Sequence, residues 1–342
     1  MAGVSEGTVD RVLHNRGEVS DKSREVVNKI LKEINYSPNI LARSLASKKQ
    51  YTFIIVMPEF KSGEYWHSIS EGFDTASNEF KQYHVSIQKR FFNQYNNDSF
   101  TTLSNEIIQL CPDAVCIAPI FKEETIAFAK ELNEKEIPFS FIDSMIEETE
   151  FLSYYGQHSF QSGYVAAKIL FESLEPNAEV IIIRTKRKGA ASNQTDKRHK
   201  GFIQFLQDNG LNDSVKLINF EFKTDDEEKN INTLQDIFTQ NRNIKAAITF
   251  NSKVYKFAHY LEKIEKKDLH VIGYDLLEEN VKLLKEGIVS TLIAQRPEKQ
   301  AYNSIRNLCR SLIFNQEITR INYVPIDILI KENIDYYLHY QE

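Results

Sequence analysis

The first fifteen residues carry side chains whose types and spacing could make specific contacts with a nucleic acid. Ala-Gly-Val at residues 2–4 has the composition of a tight turn, and Ser5 can cap a following helix. Apolar residues recur at positions 9, 12 and 13, which leaves the other helical faces polar. The pattern predicts the turn and recognition helix of a helix-turn-helix that enters a major groove. The candidate DNA contacts are Ser5, Glu6, Gly7, Thr8, Arg11 and His14. An ordinary amphipathic helix also fits these residues taken alone.

A second amphipathic helix follows, with Ser20 as its predicted N-cap and Asp21 in its first turn. Its apolar stripe comprises Val26, Val27, Ile30, Leu31 and Ile34. Residues 35–50 are then predicted to form a hinge, in which residues 39–46 are too short for a stable isolated helix.

Three motifs in this order resemble the lactose-repressor/galactose-repressor (LacI/GalR) family of bacterial transcription regulators. They are Ala-Gly-Val-Ser with Thr-Val-x-Arg-Val-Leu-x-Asn at residues 2–15, Val-Ser followed by Arg at 19–24, and Asn-Tyr-x-Pro-Asn-x-x-Ala-Arg-x-Leu-Ala at 35–46. The resemblance continues nearly to the C-terminus. It implies a homodimer on double-stranded operator DNA, with Asn39, Ala42 and Leu45 as hinge contacts and Leu45 wedged into the minor groove. A plain linker with one exposed leucine is the alternative.

The start of the chain departs from the family pattern. The family's reader begins with a helix upstream of the Ala-Gly-Val-Ser turn, and here Met1 lies directly against that turn. We therefore expect an incomplete headpiece, either because the natural start lies upstream of Met1 or because the reader is truncated and binds DNA weakly.

Composition and charge are those of a globular protein with a basic end. The chain has 342 residues, of which 42% are hydrophobic and 26% charged. Residues 1–50 hold nine Lys and Arg and six Asp and Glu, a net charge of +3, whereas the whole chain carries −6. There is no signal peptide and no apolar run that could span a bilayer, so we predict a cytoplasmic protein without membrane contact. The three cysteines, Cys111, Cys116 and Cys309, are predicted to be reduced core or near-core residues.

Beyond the hinge, buried strands alternate with helices. The first set of predicted strands covers 52–57, 84–92, 114–119 and 139–143, and the second begins at Phe151 with strands near 151–156, 179–184, 216–222, 245–250 and 270–275. The predicted fold is α/β: two doubly wound parallel sheets in a two-lobed arrangement that resembles the periplasmic-binding-protein fold, preceded by the all-α headpiece and hinge. The predicted domains are 1–34, 35–50 and 51–342, with lobe 1 about 51–157 and 292–318 and lobe 2 about 158–291 and 319–335.

Ligands of such folds bind where strand ends line the cleft. By resemblance to the family and its periplasmic relatives, Tyr65 and Trp66 are an aromatic pair for an apolar sugar face, and Asp143 accepts hydrogen bonds from sugar hydroxyls. Arg198, in Arg-x-x-Gly-Phe, is a forked donor. The remaining predicted ligand residues are Asn251, Asp275 and Gln295. Core packing, for the aromatic residues, and helix capping, for the polar ones, are the alternatives.

The segment from Arg184 to Arg198 carries six basic residues and one acidic residue, and we interpret it as a loop at the cleft mouth. The predicted effector is a small polyhydroxylated molecule, and this loop would suit a sugar acid or sugar phosphate, although a solvated loop is the favoured interpretation of these residues. No cofactor and no metal site is predicted. The sequence lacks a G-x-S-x-G motif, a P-loop and a glycine-rich dinucleotide fingerprint, which argues against an enzyme. A sugar-binding protein or a truncated sensor without DNA-binding activity remains the alternative to a sugar-controlled regulator.

Overall fold

The computed structural model describes residues 3–13, 17–33, 49–175, 177–185, 193–222, 226–266 and 268–339. The chain divides into an N-terminal unit that ends at Lys49 and a body that begins at Gln50. Of the predicted DNA contacts, His14, Asn39, Ala42 and Leu45 lie outside the described residues. No helix in the described ranges is long and apolar enough to cross a membrane.

The N-terminal unit contains two capped helices, α1 (Glu6–Leu13) and α2 (Asp21–Glu33). The Ser5 hydroxyl accepts from the Thr8 backbone N–H at 3.2 Å, and the Ser20 hydroxyl accepts from the Ser23 N–H at 3.3 Å, so both predicted N-caps are confirmed. Val12 and Val27 are buried. Val26 was expected on the apolar stripe of α2, but it is 38% exposed, whereas the neighbouring Val27 is buried.

The body is built on two six-stranded sheets. In the first sheet all neighbouring strands are parallel, and in the second only β12, at the edge, runs antiparallel to its neighbour β10. The first sheet has the order β11-β5-β4-β3-β1-β2, and its strands are β1 (Tyr51–Pro58), β2 (Val85–Phe92), β3 (Ala114–Ile117), β4 (Phe139–Asp143), β5 (Ser153–Gln157) and β11 (Ile321–Val324). The second has the order β12-β10-β9-β8-β6-β7, and its strands are β6 (Glu179–Thr185), β7 (Lys216–Phe222), β8 (Ile244–Thr249), β9 (His270–Tyr274), β10 (Thr291–Ala294) and β12 (Asp327–Leu329).

Helices cover both faces of each sheet and complete two lobes. Lobe 1 is the first sheet with α3 (Tyr65–Phe80), α4 (Asn97–Leu110), α5 (Lys122–Glu134) and α11 (Pro297–Leu312). Lobe 2 is the second sheet with α6 (Ser159–Glu172), α7 (Asn193–Asp208), α8 (Glu227–Gln240), α9 (Val254–Lys263), α10 (Glu278–Glu286) and α12 (Ile334–His339). Each lobe therefore has two apolar cores, one on either face of its sheet, as doubly wound folds require.

Three sequence-based expectations about the body are wrong in detail. The strand near 151–156 does not open the second sheet: β5 belongs to the first sheet, where it pairs in parallel with β4 and β11. The chain crosses between the lobes at 158, at 295–296 and at 325–326, the last two a few residues later than expected, because β10 still pairs in lobe 2 and β11 in lobe 1. Cys111 is exposed at the end of α4, whereas Cys116 and Cys309 are buried as expected.

Helix α7, which carries Arg198, packs unusually closely on α6. A Cβ atom added at Gly201 would lie 1.9 Å from the Phe160 carbonyl oxygen, and one added at Gly163 would lie 1.8 Å from the Arg198 carbonyl oxygen. Only glycine permits this approach of two backbones. The glycine of the Arg-x-x-Gly-Phe motif therefore sets the position from which Arg198 enters the cleft.

Candidate functional site

Two carboxylates occupy equivalent positions in the two lobes. Asp143 ends β4 in lobe 1, and Asp275 follows the last residue of β9 in lobe 2. Both have a φ of 69°, in the left-handed region, and both are buried. Aspartate is one of the few residues that enters this region at modest cost, and such backbone geometry is typical of functional sites. The turn after each strand thus presents one carboxylate at the carboxyl end of its sheet, where the two lobes face each other.

Asp143 accepts hydrogen bonds from both lobes. The Tyr65 hydroxyl, at the start of α3, donates to Asp143 Oδ1 at 2.7 Å. Gln194 Nε2, in the first turn of α7, donates to the same oxygen at 3.0 Å and to the Asp143 carbonyl oxygen at 3.2 Å. Burial and the nearby Asp143 charge raise the pKa of Tyr65 well above its usual value, so its hydroxyl stays a donor.

Arg198 lies at the centre of the second network and is only 1% exposed. Its Nη1 donates to the Phe250 carbonyl oxygen at 2.9 Å, and its Nη2 donates to Gln295 Oε1 at 2.9 Å. The guanidinium carbon lies 3.9 Å from the centre of the Tyr274 ring. Arg198 Nε is buried and has no hydrogen-bond partner among the described residues. Both terminal nitrogens are therefore held by protein oxygens, which fixes the guanidinium in the wall of the cavity.

Asp275 accepts a hydrogen bond from a side-chain amide, and its pKa is unusually high for an aspartate. Gln295 Nε2 donates to Asp275 Oδ1 at 2.6 Å. Burial raises the pKa of Asp275 to about 7; the Arg198 charge and the Gln295 hydrogen bond oppose this rise, and the charge of Asp143 adds to it. The carboxyl group is therefore near the midpoint of its titration at neutral pH.

The remaining predicted residues complete the walls. The rings of Tyr65 and Trp66 meet edge to face, with centroids 5.3 Å apart, and each residue is about 8% exposed. Trp66 packs in a core of lobe 1, as the core-packing interpretation predicts. It also lines the cavity between the lobes, where it could contact a ligand. Asn251 Oδ1 accepts from the Lys253 backbone N–H at 2.9 Å just before α9, as a residue near a helix start does.

One cavity of about 90 Å³ brings all seven predicted ligand residues together. Its wall joins Tyr65, Trp66 and Asp143 of lobe 1 to Arg198, Asn251 and Asp275 of lobe 2, with Gln295 at the second crossover. The sequence did not single out its other lining residues, which are Glu64, Gln94, Ile120, Gln194, Thr195, Ser252, Lys253, Tyr255 and Leu277. Within the described ranges no cluster of three or more acidic, His or Cys side chains could hold a metal ion.

The interpretation of residues 184–198 as one loop is wrong. Arg184 belongs to β6, and α7 begins at Asn193. Arg184 Nη2 lies 3.0 Å from His199 Nε2, and Lys197 pairs with Glu147 of lobe 1 at 2.8 Å. The three basic residues at 186–188 lie outside the described residues. Gln194 was missed because the basic residues dominated this segment; its spacing of four from Arg198, one helical turn, was the signal that could have found it.

The N-terminal unit presents the predicted DNA-reading face to solvent. Glu6, Gly7 and Arg11 are exposed on α1, and Ser5 is exposed at its cap, while Thr8 is half-buried. Basic and polar side chains on one face of a short capped helix suit contacts with phosphates and base edges.

Known proteins share both parts of the chain. A family described as bacterial regulatory proteins of the lacI family matches residues 1–39, and a periplasmic binding protein domain matches residues 53–316. A solved structure from Bacteroides fragilis, assigned to the LacI transcriptional regulators, is 40% identical, covers 84% of this chain and 100% of that chain, and has a TM-score of 0.79. The transcriptional regulator DegA of Bacillus subtilis (strain 168) is 26% identical over 80% of this chain and 79% of its own length. The ribose operon repressor of Lactococcus lactis subsp. lactis (strain IL1403) is 24% identical over 80% of this chain and 78% of its own length.

The body is thus a two-lobed periplasmic binding protein domain, which confirms the predicted fold class. The chain as a whole belongs to the lacI family of bacterial regulatory proteins. This confirms the predicted class of function, a DNA-binding transcriptional regulator with a sugar-binding type of domain.

Proposed function

We propose that this regulator changes its affinity for operator DNA when a small, neutral, polyhydroxylated effector of the sugar class binds between Asp143 and Asp275. The observation that supports it most is the single cavity in which these two carboxylates, one from each lobe, lie with Arg198 and Trp66. Carboxylates accept from hydroxyl groups, and an aromatic ring covers an apolar sugar face. A molecule that bonds to both lobes at once favours their closed arrangement.

The charges of the cavity favour a neutral ligand over an anionic one. Asp143, Asp275 and Glu64 all line the wall. The two terminal nitrogens of Arg198 already donate to protein oxygens, and Lys253 Nζ donates to the Tyr95 hydroxyl at 3.2 Å. An effector carboxylate or phosphate would place a further negative charge beside these three acidic side chains. A neutral sugar therefore fits these side chains better than a sugar acid or sugar phosphate.

The same hydrogen bonds link the cavity to the crossovers between the lobes. Gln295 lies at the second crossover and bonds to both Arg198 and Asp275. Gln157, just before the first crossover, donates from Nε2 to the Ala294 carbonyl oxygen at 3.1 Å, and its Oε1 lies 3.5 Å from Arg198 Nη2. An effector that repositions Arg198 or Asp275 therefore acts on the segments about which the lobes move.

On the DNA side, we propose a cytoplasmic homodimer that reads two operator half-sites with its α1 helices. Helix-turn-helix readers bind paired half-sites as dimers, and the polar face of α1 supplies Arg11 for a phosphate or a guanine. Effector and operator then influence each other through one coupling free energy.

The cavity assignment is tested by a thermal-shift screen of neutral sugars, sugar acids and sugar phosphates on the full chain, followed by calorimetry on each hit. We expect a neutral sugar to raise the melting temperature by mass action. Asp143→Asn should weaken its binding about tenfold through loss of a charged acceptor, whereas the exposed Asp236→Asn should bind as the wild type does. Stabilisation by anionic sugars alone, or unchanged binding to Asp143→Asn, would contradict the proposal.

A further inference from the structure

The Gln194 side chain extends from lobe 2 and donates hydrogen bonds to acceptors in lobe 1. Its Nε2 lies 3.0 Å from Asp143 Oδ1, 3.2 Å from the Asp143 carbonyl oxygen and 3.2 Å from Gln295 Oε1. One amide nitrogen thus has three acceptors within 3.2 Å, although it carries only two hydrogens. This amide lies where the proposed function places an effector hydroxyl.

Asp143 Oδ1 also receives the Tyr65 hydroxyl at 2.7 Å, so two protein donors converge on this one oxygen. A ligand hydroxyl that donates to Oδ1 must therefore compete with one of them. Tyr65 is a weak candidate for displacement because it is buried and packed against Trp66. Gln194 is only half-buried and lies in the first turn of α7, so its flexible side chain can leave at lower cost.

We propose that Gln194 is an internal competitor of the effector. Its amide donates hydrogen bonds to Asp143 and Gln295 and thereby holds α7 against lobe 1 until a sugar hydroxyl displaces it. This inference rests on the proposed function, since it assigns the same site to the sugar. It adds that the affinity of the site is set partly by a residue that opposes binding. Side-chain identity at position 194 then tunes the effector concentration at which the regulator responds.

A second contact of α7 supports a fastening role at this end of the helix. Lys197, three residues after Gln194, pairs with Glu147 of lobe 1 at 2.8 Å, but Glu147 is largely exposed. An exposed pair of this kind contributes little and is screened by salt. The bond within the cavity is therefore the stronger of these two contacts between α7 and lobe 1.

Competition and direct contact predict opposite results for the same substitution. If Gln194 opposes the effector, Gln194→Ala removes one of the donors that compete for Asp143 Oδ1, and sugar binding becomes tighter. If Gln194 instead donates to the bound sugar, the same change removes a contact and binding becomes weaker. Gln194→Met provides a second variant, since it keeps the length of the side chain and removes the donor. Gln204→Ala is the matched control: Gln204 lies on the same helix, and its amide bonds to Asp208 at 2.8 Å, away from the cavity.

The test has one measurement without sugar and one with it, both on the full chain. Trp66 is the only tryptophan and lines the cavity, so acrylamide quenching of its fluorescence reports how closed the cleft is. Without sugar, we expect Gln194→Ala and Gln194→Met to raise the quenching constant about twofold, and Gln204→Ala to leave it unchanged. With a neutral sugar that the wild type binds, we expect both Gln194 variants to bind about fivefold tighter, the equivalent of one ordinary hydrogen bond.

Quenching equal to that of the wild type would overturn the proposal, whether or not a sugar has been found. Weaker sugar binding by Gln194→Ala would also overturn it and would make Gln194 an ordinary sugar contact. If no neutral sugar binds the wild type, the proposed function fails, and the quenching comparison still decides whether Gln194 holds the lobes together.

Discussion

Replacing Asp275 by asparagine should make the body of the protein more stable at alkaline pH. Asparagine has nearly the same size as aspartate and tolerates the left-handed φ of 69° at this position. Its side-chain oxygen can keep the bond from Gln295 Nε2, which is 2.6 Å long in the wild type. The substitution therefore removes the charge and leaves most of the local geometry intact.

The size of the effect follows from the acidity of the carboxyl group. Its pKa is about 7 in the folded protein, because burial disfavours the charge. In the unfolded chain the pKa is about 4. The folded state thus holds the proton more tightly, and this carboxyl group stabilises the fold below about pH 4 and loses that contribution as the pH rises through about 7. A difference of about 3 pKa units corresponds to about 4 kcal/mol, from which the new amide hydrogens subtract, so we expect a net gain of about 2 to 4 kcal/mol at pH 8.

Urea unfolding followed by circular dichroism at several pH values between 5 and 9 measures this difference. The free energy of unfolding of Asp275→Asn minus that of the wild type should rise from pH 5 to pH 7 and stay level above it. The exposed Asp236→Asn should show no such rise. In Asp143→Asn, Asp275 still titrates, but at a lower pH, because the charge of Asp143 contributes to its raised pKa. A difference that is independent of pH, or a variant that is less stable at pH 8, would refute burial as the dominant cause.

Three further outcomes follow from the packing of the body. Arg198→Ala should lower the free energy of unfolding by about 3 kcal/mol in urea titrations, because the Phe250 carbonyl and Gln295 lose their buried charged donor. An effect below about 1 kcal/mol would show that this hydrogen-bond network does not stabilise the fold. Gly201→Ala should lower the free energy of unfolding by about 2 to 3 kcal/mol in the same assay, since the new Cβ would lie 1.9 Å from the Phe160 carbonyl oxygen. Gly7→Ala is the control: its new Cβ would have no packing neighbour closer than 4.0 Å, so this substitution should not lower the free energy of unfolding. A chain that begins at Gln50 should unfold cooperatively and bind the same sugar as the full chain, because both sheets and the cavity lie beyond that residue; a non-cooperative transition in calorimetry would place the domain boundary elsewhere.

Strand ends were the part of the site that the sequence predicted well. Asp143 and Asp275 follow apolar runs that read as buried strands, and parallel strands bring their carboxyl ends to one edge. The sheet to which a short strand belongs was harder to predict. Strand β5 was placed in the wrong set, because periodicity identifies a strand but not its neighbour.

The contacts across the cavity were beyond the reach of the sequence. Gln194 touches Asp143 although the two are 51 residues apart, and the bond depends on how closely the lobes approach. Nor could composition show that Arg198 is fully buried and already bonded to Phe250 and Gln295. That arrangement depends on the close packing of α6 and α7, which is a property of the folded pair.

The most direct test of the coupling between cavity and operator is the affinity of one neutral sugar for the full chain, measured by calorimetry with and without saturating operator DNA. By linkage, the ratio of the two sugar affinities must equal the ratio by which the sugar changes operator affinity in a mobility-shift titration. We predict that both ratios differ from one by about tenfold, in agreement with each other. Asp143→Asn, which binds the sugar more weakly, should need correspondingly more sugar for the same change. Equal sugar affinities with and without operator would contradict the account, because the cavity and the DNA reader would then be independent.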